Sequence, residues 1–257
     1  MKRLLILGGT GDAVKLASLT VDLPGLAVIT ALAGRTLTPT AVAGKVRLGG
    51  FGGEAGLVEY LQAESIDLVI DATHPFAAQI SWHTAGATAR VGIPRLMLVR
   101  PAWVRSPEDR WIEVESIAAA VASIPATTAR IFVTIGRQQL LPFSSLTNKW
   151  CLIRSIDPPD PSILLPPGRL LLDRGPFSLE SERRLLRDER IEAIVSKNSG
   201  GDATYAKIIA ARELGLPVVM VQRPIGPKGE SVADVAGAMA WVSDRIGPRE
   251  DRIERGF

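Results

Sequence analysis

The chain of 257 residues has one cysteine, Cys151, and only two histidines. A lone cysteine excludes an internal disulfide, and one Cys with two His leaves too few ligands for a protein-built zinc site. Long apolar runs are missing as well. Leu4 to Leu7 and Val218 to Val221 are far short of the roughly 20 residues that span a bilayer. Gly8-Gly9-Thr10-Gly11 interrupts the N-terminal apolar region after four residues, which speaks against a signal peptide. These features imply a cytoplasmic protein with no membrane partner and no bound metal. Several catalytic signatures are lacking: there is no G-x-S-x-G elbow, no H-E-x-x-H and no P-loop. Neither Tyr60 nor Tyr205 has a lysine four residues on, so the Tyr/Lys dyad of short-chain dehydrogenases is absent. No basic run stands out either. The net charge is +3 and the arginines are scattered, which argues against nucleic acid and suits a polyanionic small molecule.

What the chain does have is alternation. Strand-like runs at Leu4–Leu7, Leu26–Leu32, Asp67–Asp71 and Arg95–Val99 are separated by helical stretches at Asp12–Leu23, Glu54–Glu64 and Ala77–Val91. The strands are continuously apolar rather than alternating, the mark of a parallel sheet covered on both faces. The second half repeats the scheme. Strands are predicted at Ile131–Ile135, Leu170–Leu172, Ile191–Ser196 and Pro217–Val221, and helices from Ser178 to Asp188, Asp202 to Leu214 and Ser231 to Arg245. Gly92-Ile93-Pro94 and Gly215-Leu216-Pro217 each precede a strand that is closed by an Arg-Pro pair, Arg100-Pro101 and Arg223-Pro224, at an offset of 123. The expectation is an α/β protein of two similar Rossmann-like domains with parallel sheets, residues 1–105 and 106–257, and an active-site cleft between them.

Candidate sites fall at the carboxyl ends of strands, where open α/β sheets hold ligands. Gly8, Gly9, Thr10, Gly11 and Asp12 follow the first strand and open a helix, so they offer a tight turn and free amides to a phosphate. The usual third glycine of G-x-G-x-x-G is replaced by Val14. The second strand runs into Gly34-Arg35-Thr36, and no acidic residue occurs between Asp22 and Glu54. An NAD site needs an acid there, whereas Arg35 suits a 2′-phosphate, so the predicted cofactor is NADPH. Thr73 and His74 follow the strand Asp67–Asp71 at its carboxyl end and are candidates for the chemistry. In the second half, Arg137, Arg174, Lys197, Asn198, Ser199 and Gly200 gather cationic and hydrogen-bonding groups at the corresponding edge, an arrangement suited to carboxylates. Under the offset of 123, Lys197 would match His74.

Taken together these stretches resemble precorrin-6A reductases of corrin biosynthesis. The likeness is carried in order by Leu5-Ile6-Leu7-Gly8-Gly9-Thr10, Ala33-Gly34-Arg35, Gly49-Gly50-Phe51-Gly52-Gly53, Asp71-Ala72-Thr73-His74-Pro75-Phe76-Ala77, Ile135-Gly136-Arg137-Gln138, Arg174-Gly175-Pro176-Phe177 and Ser196-Lys197-Asn198-Ser199-Gly200-Gly201. Many relatives carry a hydroxyl residue where Gly11 stands and Glu where Asp12 stands. The resemblance implies hydride transfer from NADPH to the polycarboxylate macrocycle precorrin-6A, giving precorrin-6B, in a monomer or small homo-oligomer. It gives the basic residues of the second half a partner in the acetate and propionate side chains. Two other readings stay open: reduction of the cobalt-containing macrocycle of the anaerobic pathway, or a non-catalytic NADPH-binding sensor, which would have no need of a second basic edge at Lys197.

Overall fold

The computed structural model describes residues 1–34 and 41–247. They form two units, each around its own sheet: residues 1–100 together with the segment from Gly226 onward, and Pro101–Ile225.

In the first unit β1 (Lys2–Leu7) leads through α1 (Gly11–Thr20) to β2 (Leu26–Leu32) and β3 (Lys45–Leu48). Then come α2 (Gly53–Ala63), β4 (Leu68–Asp71), α3 (Ala78–Val91) and β5 (Arg95–Leu98). The chain passes into the second unit with β6 (Trp111–Val114), α4 (Ile117–Ala122) and β7 (Arg130–Thr134). Two short 3-10 turns precede β8 (Trp150–Ser155) and β9 (Gly168–Leu172), followed by α5 (Leu179–Asp188), β10 (Ala193–Lys197), α6 (Ala206–Glu213) and β11 (Val218–Val221). Finally β12 (Glu230–Val232) and α7 (Val235–Ile246) close the described chain.

Both sheets are six-stranded, ordered β3-β2-β1-β4-β5-β12 and β9-β8-β7-β10-β11-β6, and every pairing is parallel. This is the doubly wound order, which reverses direction between β1 and β4 and again between β7 and β10. The continuous apolar reading of the central strands holds: Leu4, Leu5, Ile6 and Leu7 are all buried, as are Ile131, Phe132 and Val133, because helices cover both faces.

The expected division at 105/106, with everything afterward in one domain, differs from the structure. The break falls between Arg100 and Pro101, and the segment from Gly226 returns to the first unit. The physical reason is an exchange of edges. After β5 the chain adds β6 to the second sheet, and after β11 it adds β12 to the first, where Glu230, Ser231 and Val232 pair with Leu96, Met97 and Leu98. Val235, Ala238, Trp241 and Val242 of α7 then bury in the core formed with Leu4, Ile6 and Leu16. The predicted helix over Ser231–Arg245 is thus a short strand and a helix, with Asp234 capping the latter by accepting the Gly237 N–H at 2.8 Å.

Candidate functional site

At the carboxyl edge of the first sheet, β1 and β4 lie side by side with Leu7 opposite Asp71. The loops that follow them are fastened together. Ala72 N–H donates to Leu7 O at 3.0 Å, and Thr10 Oγ1 donates to Ala72 O at 2.8 Å while accepting the Ala13 N–H at 3.1 Å. Thr10 is therefore the N-cap of α1, and it also fixes the start of the Thr73–His74 loop. Gly9 turns the chain with φ +110, a conformation L side chains rarely adopt, and the space beside it is open. The result is a backbone cradle at a helix N-terminus at the point where the strand order reverses.

The predicted residues Thr73 and His74 sit at this edge. Thr73 donates both its N–H (3.1 Å) and its hydroxyl (2.6 Å) to Oδ1 of buried Asp71, which sets the turn. The Nδ1 of His74 accepts the Phe76 N–H at 3.2 Å, so the neutral imidazole carries its proton on Nε2. Asp12 stands in the first turn of α1 and pairs with Arg100 at 3.1 Å. Gly34 lies against Gly49, whose N–H donates to Leu32 O at 2.9 Å. The predicted Arg35 and Thr36 fall outside the described residues. Arg47, not singled out in the sequence, organises the glycine loop after β3. It donates to Gly49 O (2.6 Å) and Gly50 O (2.9 Å) and lies 4.0 Å above the Phe51 ring, which meets Tyr60 edge-on. Its only sequence signal was a base two residues before a glycine run.

In the second unit the corresponding edge is formed by β7 and β10, with Thr134 opposite Ser196. Lys197 ends β10 and is half-buried, and burial pushes its ammonium down to about 8. Arg137 donates to Pro158 O at 2.9 Å, and exposed Arg174 begins the loop that leads to α5. Asn198, expected to face a ligand, instead supports the loop. It is buried, its Oδ1 accepts the Trp103 N–H at 2.8 Å and its Nδ2 donates to Trp103 O at 3.1 Å. Gly200 is likewise enclosed: a Cβ there would meet Pro101 O at 2.0 Å, and its φ is +67. Arg223 secures the same loop by donating to the carbonyls of Asn198 and Ser199, both at 2.9 Å. The expected match of Lys197 with His74 also shifts. Met97 and Met220 are 123 residues apart, but their strand partners Asp71 and Ser196 are 125 apart, so Lys197 corresponds to Ala72 and His74 to Ser199.

Beneath this edge lies a buried charged group that the sequence did not announce. Arg154 and Glu182 form a two-pronged pair at 2.6 and 3.2 Å, and the Arg154 guanidinium lies 3.9 Å from the Phe177 ring. Lys207, on the same side, donates to Thr204 O at 2.8 Å and sits 4.9 Å from the Trp103 ring; burial pushes it down to about 7. These contacts fix the segments that carry Arg174 and Ser199. An open groove of about 760 Å³, lined by Arg105, Arg110, Thr128, Glu192 and Pro217 among others, lies at the opposite, amino-terminal end of the second sheet.

The profile of the family described as precorrin-6x reductase CbiJ/CobK matches residues 3–243. The chain belongs to this family. A precorrin-6A reductase of Rhodococcus erythropolis is 50% identical over 244 residues, covering 94% of this chain and 98% of the relative. The precorrin-6A reductase of Rhodobacter capsulatus is 45% identical, covering 95% and 97%. A solved structure described as CobK precorrin-6A reductase superposes with a TM-score of 0.89 at 45% identity, covering 95% of this chain and 97% of that one. The family match spans both the glycine turn after β1 and the Ser196–Gly201 loop. Among the described residues no helix is long and apolar enough to cross a membrane, and no three His, Cys, Asp or Glu side chains gather as metal ligands.

Proposed function

We propose that the chain is an NADPH-dependent precorrin-6A reductase of cobalamin biosynthesis, acting in the cytoplasm as a monomer or small homo-oligomer. The observation that carries the reading is the near-full-length likeness to relatives of that name, at up to 50% identity. The geometry of the two edges agrees with it.

NADPH supplies a hydride; the protein's part is to bind, orient and exclude water. Gly8, Gly9, Thr10 and Gly11 would hold the dinucleotide. The fit is supported by the open backbone turn at Gly9 and by the Thr10 cap, which leaves the first amides of α1 directed at an anion. Gly34, with Arg35 and Thr36 beyond the described residues, would take the ribose 2′-phosphate. Thr73 and His74 follow β4 at the same edge, and the Nε2–H of His74 is the group we assign to the reacting ring. Arg137, Arg174, Lys197 and Ser199 would receive carboxylates of the macrocycle, while Asn198 and Gly200 shape the loop that presents them.

The deciding experiment follows NADPH absorbance on adding metal-free precorrin-6A, with NADH and the cobalt-containing macrocycle as controls. Oxidation of NADPH with the metal-free ring is expected. Tight NADPH binding without oxidation by either macrocycle would overturn the reading in favour of a sensor.

A further inference from the structure

We infer that Arg100 is a positioning residue for the dinucleotide: it neutralises Asp12, which otherwise sets a negative charge among the amides that receive the pyrophosphate. The inference rests on the proposed reading of residues 8–12 as the dinucleotide turn.

Asp12 is the acidic residue of the first turn of α1. A carboxylate there is favourable to the helix, because it meets the positive end of the backbone dipole. The same amides and dipole are what an incoming phosphate uses, so an uncompensated carboxylate competes with the ligand and repels it. Arg100 lies two residues past the end of β5, and its Nη1 stands 3.1 Å from Asp12 Oδ2. Both side chains are partly in water, 22% and 40% exposed, so the pair stays within reach of an arriving phosphate. The repeat sharpens the point. The counterpart of Arg100 in the second unit, Arg223, grips the carbonyls of Asn198 and Ser199. At the matching place in the first unit the arginine holds a carboxylate at a helix start. The fold thus uses one Arg-Pro corner twice, once to shape a loop and once to set local charge.

The test is the dissociation constant of NADPH, measured by fluorescence titration of the full chain, for the wild type, Arg100→Ala, Asp12→Asn and the double variant, with melting curves to confirm folding. Arg100→Ala is expected to weaken binding about tenfold, the order of effect of one unscreened charge a few ångströms from a phosphate at a half-exposed site. Asp12→Asn alone should bind as well as wild type or a few-fold tighter, and the double variant should return to within about threefold of wild type. The loss in Arg100→Ala should shrink as salt is raised. An unchanged constant in Arg100→Ala overturns the inference. So does a double variant as weak as Arg100→Ala, since Arg100 would then touch the phosphate itself, and so does a weakened Asp12→Asn. Absence of NADPH binding in the wild type is a different result, and it removes the functional reading beneath the inference.

Discussion

At the scale of single residues, backbone geometry and burial set the behaviour. Gly9 has φ +110 in open space, so a methyl group there meets no neighbour but strains the backbone. Gly9→Ala is expected to cost about 1–3 kcal/mol of stability and to weaken NADPH binding severalfold, read by melting and by fluorescence titration. An alanine enzyme with unchanged affinity would mean that the turn is not the phosphate cradle. Lys197 carries a different consequence. Burial lowers its ammonium to about 8, so it is mainly charged at neutral pH and mainly neutral above that value. If it pairs with a carboxylate of the macrocycle, KM for the macrocycle should rise as pH passes upward through about 8. Lys197→Met should raise KM at neutral pH and flatten that dependence. Thr10 and Thr73 stand in the loops after β1 and β4, where the sequence puts them, and each fixes a turn through its hydroxyl. For Asn198, a polar residue in a glycine loop gives no hint in the sequence that the Trp103 backbone, 95 residues away, takes both ends of its amide.

Among elements, α5, α6 and β8 share the buried Arg154, Glu182 and Lys207 group. Lys207 is held near 7 in the folded chain by burial, against about 10.4 when unfolded. Between these values the unfolded chain binds the extra proton, so stability should increase as pH rises from about 7 toward 10, and this gain is missing below 7. Lys207→Met should remove that slope, measured as denaturant midpoints across the range. A slope that persists in the variant would assign the effect to another group. The longer helices and the strands β1, β2, β4, β7 and β10 were legible from apolar continuity and from stop signals such as Gly92, which ends α3 with φ +74, whereas the interior strand β8 and the short helix α4 were not anticipated. The edge strands β3 and β12 were not legible, because Lys45–Leu48 and Glu230–Val232 are largely polar or exposed and hold their place through a neighbour's backbone rather than through their own side chains; β6 was missed although Trp111 and Val114 are buried, because it is only four residues long.

For the whole molecule, the exchange of edge strands makes a concrete expectation. A fragment of residues 1–105 contains the glycine turn, five strands and three helices, yet it lacks β12 and α7. Leu96 and Leu98 lose the strand beside them, and Leu4, Ile6, Leu16 and Ala17 lose the cover of Trp241 and Val242. Removing so much buried apolar area, at about 25 cal/mol per Å², exceeds the margin of a small domain. The fragment should show no cooperative melting, while the same residues joined to the segment from Gly226 by a short linker, in place of Pro101–Ile225, should fold. Cooperative unfolding of the 1–105 fragment, by circular dichroism, would sink this account of the first unit.

The class of fold, its duplication, the loops placed at the sheet edges and the family resemblance can all be read along the chain, because they follow from local patterns: apolar strands, glycine turns and residues at fixed spacings. Three features emerge only in the folded chain: which sheet takes the C-terminal strand and helix, that the Asn198 amide holds the Trp103 backbone, and that Arg100 meets Asp12. Each of these is a pairing of residues roughly 90 or more positions apart in the chain. No window of neighbouring residues contains both partners, so the physics that joins them enters only when the strands are laid side by side.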